Sequence, residues 1–235
     1  MKPYYKHYLF DCDGVILDAN RVKTDAFRAC AKAYGSSAAE DLVAYHLSTG
    51  GVSRYQKFRW LLDKYSPCSD KADYQVLLDC YAQRVYEQLL LCDIAPGLSD
   101  FRAQTAQSSW TIISGGDQNE LRDVFEQRSL SSLFDGGIYG SPIDKMEHLE
   151  RLIIAGMQAD EALFIGDSMY DLTCAKAFSI DSVFLSDWSE IIPVQVKAEA
   201  PQTVIFKNIS EMSKVFKNIG RIMPIQVQDL NHGNK

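Results

Sequence analysis

The chain has no Cys-x-x-Cys pair, no cluster of cysteine and histidine at zinc-binding spacing, no apolar run of membrane-spanning length and no excess of basic residues. Each absence argues against a class of function. The six cysteines, at positions 12, 30, 68, 80, 92 and 174, are dispersed, and they read as reduced thiols rather than as a disulfide framework or a zinc site. Lys and Arg total 24 against 31 Asp and Glu, a net charge of −7. That balance argues against a broad polyanion-binding surface, so no nucleic-acid partner is expected, although local basic pockets are compatible with it. The opening "MKPYYKHYLF" has neither the apolar stretch nor the small-residue cleavage site of a secretory signal, so no membrane association is expected and the cytoplasm is the expected compartment. Histidine is scarce, and His7, His46, His148 and His232 are scattered without evident partners; none is assigned a role. Repeats and low-complexity tracts are absent.

What is present is ordinary in bulk and specific in detail. With 235 residues, 46% hydrophobic and 23% charged, the chain can bury a good core as one medium domain or a domain with an insertion. Short apolar runs at 7–10, 110–114, 137–140, 162–166, 182–186 and 203–206 are too short and too continuous for amphipathic helices and read as strands. Helical patterns around 98–108, 118–129, 145–157 and 169–178 lie between them. This β-α-β-α rhythm predicts a Rossmann-like α/β core, a parallel sheet with helices on both faces. The rhythm fails from 18 to 93, where the pattern is helical throughout, with Gly35 as a helix C-cap. That block reads as an all-helical cap inserted after strand one. The core is then 1–17 with 94–219, and the polar stretch 220–235 is a loose tail.

Right-handed crossovers place every strand-to-helix loop at one edge of such a sheet. Asp11 and Asp13 follow the first strand, Ser114, Gly115 and Gly116 follow "WTII", Lys145 opens a helix, and Asp167 and Asp171 follow "ALFIG". The predicted topology therefore gathers them. Carboxylates without a nearby histidine suit a hard, oxygen-liganded cation such as Mg²⁺, which commonly shares its shell with substrate phosphate. A carboxylate can attack phosphorus to give an aspartyl-phosphate, a second acid two residues away can move the leaving group's proton, and Ser114, Lys145 and backbone N–H groups can hold phosphoryl oxygens. A calcium loop does not fit, because aligning Asp11, Asp13 and Gly14 with the EF-hand pattern puts Leu9 at its first position and Asn20 at its last.

Taken together, "FDCDGV", "IISGG", Lys145 and "IGDSMYD" resemble the four motifs of the haloacid dehalogenase superfamily, in its phosphatase and phosphomutase branch, over roughly residues 7–206. The resemblance implies Asp11 as nucleophile and Asp13 as general acid/base. It implies a Mg²⁺ site formed by Asp11, the carbonyl of Asp13 and Asp167, with Asp171 organising its surroundings, and phosphate contacts from Ser114, Gly115 and Lys145. A dehalogenase proper lacks the second acid of motif one, so Asp13 favours phosphate chemistry. The common Lys-Pro of motif three is absent from "GSPIDKMEHL".

Local readings stand beside these. Ser168 and Asp171 have capping-box spacing, Asp144 is a plausible N-cap that puts Lys145 at the unfavourable first helical position, and Ser114 could bond neighbouring backbone. Ser53 with Gln56 opens a cap helix whose apolar stripe is Tyr55, Phe58, Leu62 and Tyr65, and Arg54 at its start is either an anion ligand or a solvated cation. "GVSR" resembles the cap loop of β-phosphoglucomutase, where the matching arginine holds the non-reacting phosphate. Lys23 stands where that mutase has a histidine, which counts against mutase activity. The expectation is thus an enzyme, a Mg²⁺-dependent phosphatase acting on a small phosphorylated metabolite such as a sugar phosphate or a phosphoglycolate-like compound. A phosphomutase, or a non-catalytic ligand-binding or regulatory protein on the same scaffold, is the alternative. The oligomeric state is left open.

Overall fold

A computed structural model describes residues 5–68 and 70–219. Six strands, β1 (His7–Phe10), β2 (Ser109–Asp117), β3 (Gly137–Ser141), β4 (Ala162–Gly166), β5 (Asp181–Leu185) and β6 (Val204–Phe206), form one sheet in the order β3-β2-β1-β4-β5-β6. Every pairing is parallel. The order reverses beside β1, which places the carboxyl ends of β1, β2 and β4 around the switch point where such sheets bind ligands.

Alternation along the strands divides the interior in two. Tyr8, Phe10, Trp110, Ile112, Leu163 and Ile165 pack on one face, whereas Leu9, Ile113 and Phe164 pack on the other. The first face receives α5 (Leu98–Gln104), α6 (Gln118–Gln127) and α10 (Ile209–Ile219), and the second receives α7 (Lys145–Ile154) and α8 (Met169–Ala177). The first face is dominated by rings. Phe10 and Trp110 lie 4.7 Å apart, Tyr8 meets Phe101 edge-on at 5.2 Å, and Phe134 closes on Phe10 at 5.8 Å. Burying each such side chain contributes about 1.5–3 kcal/mol.

Between β1 and β2 the chain is helical: α1 (Asn20–Ala31), a 3₁₀ turn (Lys32–Tyr34), α2 (Ser36–Ser48), α3 (Arg54–Tyr65) and α4 (Lys71–Leu91). Gly35 ends the 3₁₀ turn and immediately precedes α2, with φ +103°. The two connections between this insertion and the sheet run side by side. Leu17 bridges Ile94 in antiparallel fashion, the Ala95 amide donates to the Ile16 carbonyl at 2.9 Å, and the Asp18 amide donates to the Asp93 carbonyl at 3.0 Å.

Several boundaries differ from the sequence reading. β2 continues through Gly115 and Gly116 to Asp117, which pairs with Ser141 after a register shift. α5 stops at Gln104, where the Thr105 hydroxyl donates back to the Phe101 carbonyl. The stripe of α3 is centred on Phe58, Leu61 and Leu62, with Tyr55 and Tyr65 half-buried. Two further helices, α9 (Pro193–Glu199) and α10, follow β5 and β6. The anticipated tail 220–235 lies outside the described residues.

Candidate active site

The backbone ladder carries the first acid to its position. The Asp11 amide donates to the Ile165 carbonyl at 2.9 Å, extending the β1–β4 pairing one residue past the strand. The chain then turns sharply, because the Cys12 carbonyl accepts from the Ile16 and Leu17 amides and Gly14 adopts φ +74°. A side chain on Gly14 would run into Asp167 and Asn20, so glycine is required both for the turn and for the close approach of the loops after β1 and β4.

Lys145, the first residue of α7, is buried with its ammonium 2.8 Å from Asp11 Oδ2 and 2.5 Å from Asp171 Oδ1. Asp144 does cap this helix, accepting from the Glu147 amide at 2.8 Å. Asp171 forms the capping box, and its other oxygen serves a second contact. Its Oδ2 accepts from the Ser168 hydroxyl at 2.7 Å and the Ser168 amide at 3.1 Å, in a capping box, while Oδ1 takes Lys145. Asp167 Oδ2 accepts from the Asn20 amide group at 2.7 Å, and Asn20 also donates to the Trp188 carbonyl at 2.9 Å. One oxygen each of Asp11, Asp167 and Asp171 falls within 4.8 Å of the others.

Crowding these acids in a dry site has electrostatic consequences. Burial pushes the Asp11 carboxyl up to about 7, with Lys145 opposing and Asp171 and Asp13 adding to the rise. Burial, reinforced by Asp11 and Asp171, drives Asp167 well above the carboxylate range. Burial lowers the Lys145 ammonium, but Asp11 and Asp171 outweigh it and hold the group above the ordinary lysine range. The site is therefore short of positive charge. Its donors are all oxygen, with no histidine or cysteine in the cluster, which fits a hard divalent cation. Asp11 and Asp167 suit direct ligation, since both line the cavity between the sheet edge and the insertion, whereas Asp171 does not and its oxygens bond Lys145 and Ser168.

These acids open onto a cavity of about 70 Å³ between the sheet edge and the insertion. Asp11, Asp13, Gly115, Gly116 and Asp167 line it from the core, and Lys23, His46, Arg54 and Lys57 from the insertion. Ser114 and Lys145 stand behind the cavity wall: the buried Ser114 hydroxyl accepts from the Gly116 amide at 3.0 Å, the local bond weighed for it above. The Cys12 amide donates to Asp11 Oδ1 at 2.7 Å.

The insertion is closed over the site. Lys23 of α1 forms a buried ion pair with Asp13 Oδ2, whereas Asp13 Oδ1 is buried without a hydrogen-bond partner among the described residues. Arg54 does open α3, after the Ser53 cap, but its guanidinium is neither solvated nor free, donating from both terminal nitrogens to Glu120 and stacked 4.5 Å from the centre of the Tyr81 ring. Tyr55 donates to Asp117 at 2.6 Å and Thr24 to Glu190 at 2.7 Å. Glu120, Asn20, Glu190, Lys57 and His46 are site residues that the sequence reading passed over.

The match that decides the family covers most of the chain: the family model for haloacid dehalogenase-like hydrolases aligns with residues 5–179. The chain belongs to the haloacid dehalogenase-like hydrolase family. Among solved structures, this hydrolase is similar to a predicted phosphatase from Clostridium acetobutylicum, with a TM-score of 0.70 and 16% identity, covering 91% of this chain and 99% of that one. It is also similar to a predicted phosphoglycolate phosphatase from Haemophilus somnus, with TM-score 0.68, 15% identity and coverage of 92% and 99%. The HAD-hydrolase YfnB from Bacillus subtilis, in a structure bound to magnesium, matches with TM-score 0.61, 20% identity and coverage of 91% and 99%. At these identities the likeness establishes the fold of the hydrolase. No curated protein matches it in sequence. Among the described residues, no helix is long and apolar enough to cross a membrane.

Proposed function

We propose that this hydrolase is a Mg²⁺-dependent phosphatase that removes a phosphoryl group from a small metabolite through an aspartyl-phosphate on Asp11. The observation that carries this reading is the gathering of Asp11, Asp13 and Asp167 at one cavity, with Lys145 held against Asp11 from behind. An Asp11 oxygen attacks phosphorus; the new P–O bond forms as the bond to the leaving oxygen breaks, and Asp13 supplies the proton that oxygen needs. Asp13 then takes a proton from water as the water oxygen attacks phosphorus, which frees Asp11 and releases inorganic phosphate. Lys23 fixes Oδ2 of Asp13, leaving Oδ1 as the oxygen that exchanges the proton. Mg²⁺, held by Asp11, Asp167 and the Asp13 carbonyl, would supply charge neutralisation at the phosphoryl oxygens. Gly115 offers its backbone amide to those oxygens, whereas the Gly116 amide is held by the Ser114 hydroxyl, through which Ser114 supports the loop. Closure of the insertion excludes bulk water and brings Arg54 and Lys23 to the leaving-group side.

The phosphomutase alternative leans on Arg54 as an anion ligand. Its engagement by Glu120 supports hydrolysis instead. The test is phosphate release from a panel of sugar phosphates, phosphoglycolate, nucleotides and a chromogenic ester, with Mg²⁺ and with chelator. Chelator-sensitive release by the wild type, and none by Asp11→Asn with an unchanged circular dichroism spectrum, is the expected result. Wild-type turnover in Asp11→Asn would overturn the mechanism, and no release from any ester would favour a binding protein.

A further inference from the structure

Three cations and one histidine reach the cavity from the insertion, and their charges are not equally matched. Lys23 is neutralised by Asp13, and Arg54 by Glu120. Lys57 is as deeply buried, at 2% exposure, yet among the described residues its ammonium has no carboxylate partner and bonds only His46 Nδ1, at 2.7 Å. An ammonium can only donate, so His46 accepts through Nδ1 and carries its proton on Nε2. That Nε2 is itself buried without a hydrogen-bond partner among the described residues, 3.8 Å from Glu190 Oε2. Two donors, on α2 and α3, thus line the same small cavity as the catalytic acids with bonding capacity unspent.

Leaving such groups desolvated is unfavourable unless something else completes them. Burial, with Lys23 adding and Glu190 opposing, already pushes the Lys57 ammonium down to about 7, which is the mark of a cation lacking its counter-charge. An anionic group on the substrate would supply it. The cavity volume of about 70 Å³ leaves room for a phosphoryl group and only a short tail, so a carboxylate fits better than a second phosphate.

We propose that Lys57, held by His46, is a specificity-determining residue that receives a second anionic group of the substrate, so that the phosphatase acts on a short phosphorylated carboxylic acid. This rests on the phosphatase reading above, and the experiment separates the two. Phosphonoacetate, acetonylphosphonate, in which a neutral acetyl group replaces the carboxylate, and methylenediphosphonate are titrated calorimetrically into the full chain with Mg²⁺, for the wild type and for Lys57→Met. The wild type is expected to bind phosphonoacetate at least tenfold more tightly than acetonylphosphonate, and more tightly than methylenediphosphonate. Lys57→Met should lose the preference for phosphonoacetate while keeping its affinity for acetonylphosphonate, which also reports that it is folded. Where Lys57→Met does not fold, Lys57→Gln gives the same readout. Equal binding of phosphonoacetate and acetonylphosphonate by the wild type, or a preference that survives in the variant, overturns the subsite. Tighter binding of methylenediphosphonate would assign the second group as a phosphate and overturn the carboxylic acid. If the preference behaves as expected but no ester is hydrolysed, the phosphatase reading falls and the subsite stands.

Discussion

Replacing Gly115 by alanine adds one methyl group where the insertion meets the sheet. Gly115 does not need a positive φ, so the substitution carries no backbone penalty of its own. Its Cβ would nevertheless stand 2.9 Å from the Gly51 carbonyl carbon and closer still to the carbonyl oxygen. Comfortable separation of such carbon atoms is about 3.5–4.0 Å, so the loop bearing Gly51 must retreat by roughly 0.5–1 Å. That loop leads directly into Arg54 and Lys57, and Gly51 also packs near Ser168 and Lys145. A displacement of about 1 Å in a positioning group can reduce turnover about 10²-fold, or roughly 2.7 kcal/mol of activation free energy. Gly116→Ala is the control, because its Cβ comes no nearer than 3.3 Å to the flexible side chains of Leu121 and Ser114. Measured as kcat/KM for phosphate release, Gly115→Ala should fall by about two orders of magnitude while Gly116→Ala changes only a few-fold, and both should melt close to the wild type. Equal activity of the two variants would refute the claim that the seating of the insertion against the sheet positions groups for turnover.

Lys145→Met leaves Asp11 and Asp171 facing each other in a buried site, and urea unfolding should show a loss of about 3–5 kcal/mol; a loss below about 1 kcal/mol would mean that the lysine does not hold the acids together. Saturating Mg²⁺ at about 100 times its dissociation constant should stabilise the protein by ~2.7 kcal/mol. In a chain of this size that raises Tm by about 5–10 °C, and an unmoved Tm would sink the metal assignment. Lys57 titrates at about 7 when folded, against 10.5 for an ordinary solvated lysine. The unfolded chain therefore holds more protons between those values, and stability rises with pH across that window. Lys57→Met should accordingly exceed the wild type in stability near pH 7, with the difference shrinking towards pH 10; a constant difference would contradict the shift.

The residues of the candidate site are legible in the chain because each follows a strand or opens a helix, and a parallel sheet brings such positions to one edge. Asp11, Asp13, Lys145, Asp167 and Asp171 are all found this way, even though Lys145 lacks its usual proline neighbour. Lys57, His46, Glu120 and Glu190 are not, since their meaning comes from how the insertion sits against the sheet, which no local pattern encodes. One signal was available: Arg54 and Lys57 stand three apart on α3, hence on one face beside the apolar stripe. Arg54 shows the converse limit. Its place at the start of α3 was readable, but the glutamate that neutralises it lies far along the chain on α6. Among the elements, α10 carries helical spacing at Ile209, Met212 and Phe216, whereas the short α9 buries only Val196 and has little periodicity to read.

The pairing of Leu17 with Ile94 has a consequence for inheritance. Because the chain leaves and re-enters the sheet at adjacent points, tied by the bonds from Ala95 to Ile16 and from Asp18 to Asp93, the core experiences everything between them as a single turn. Lengthening or exchanging that stretch adds little closure entropy and leaves the acids at the sheet edge undisturbed. Evolution can therefore graft a new helical module onto the same joint and acquire a new substrate while keeping the old chemistry.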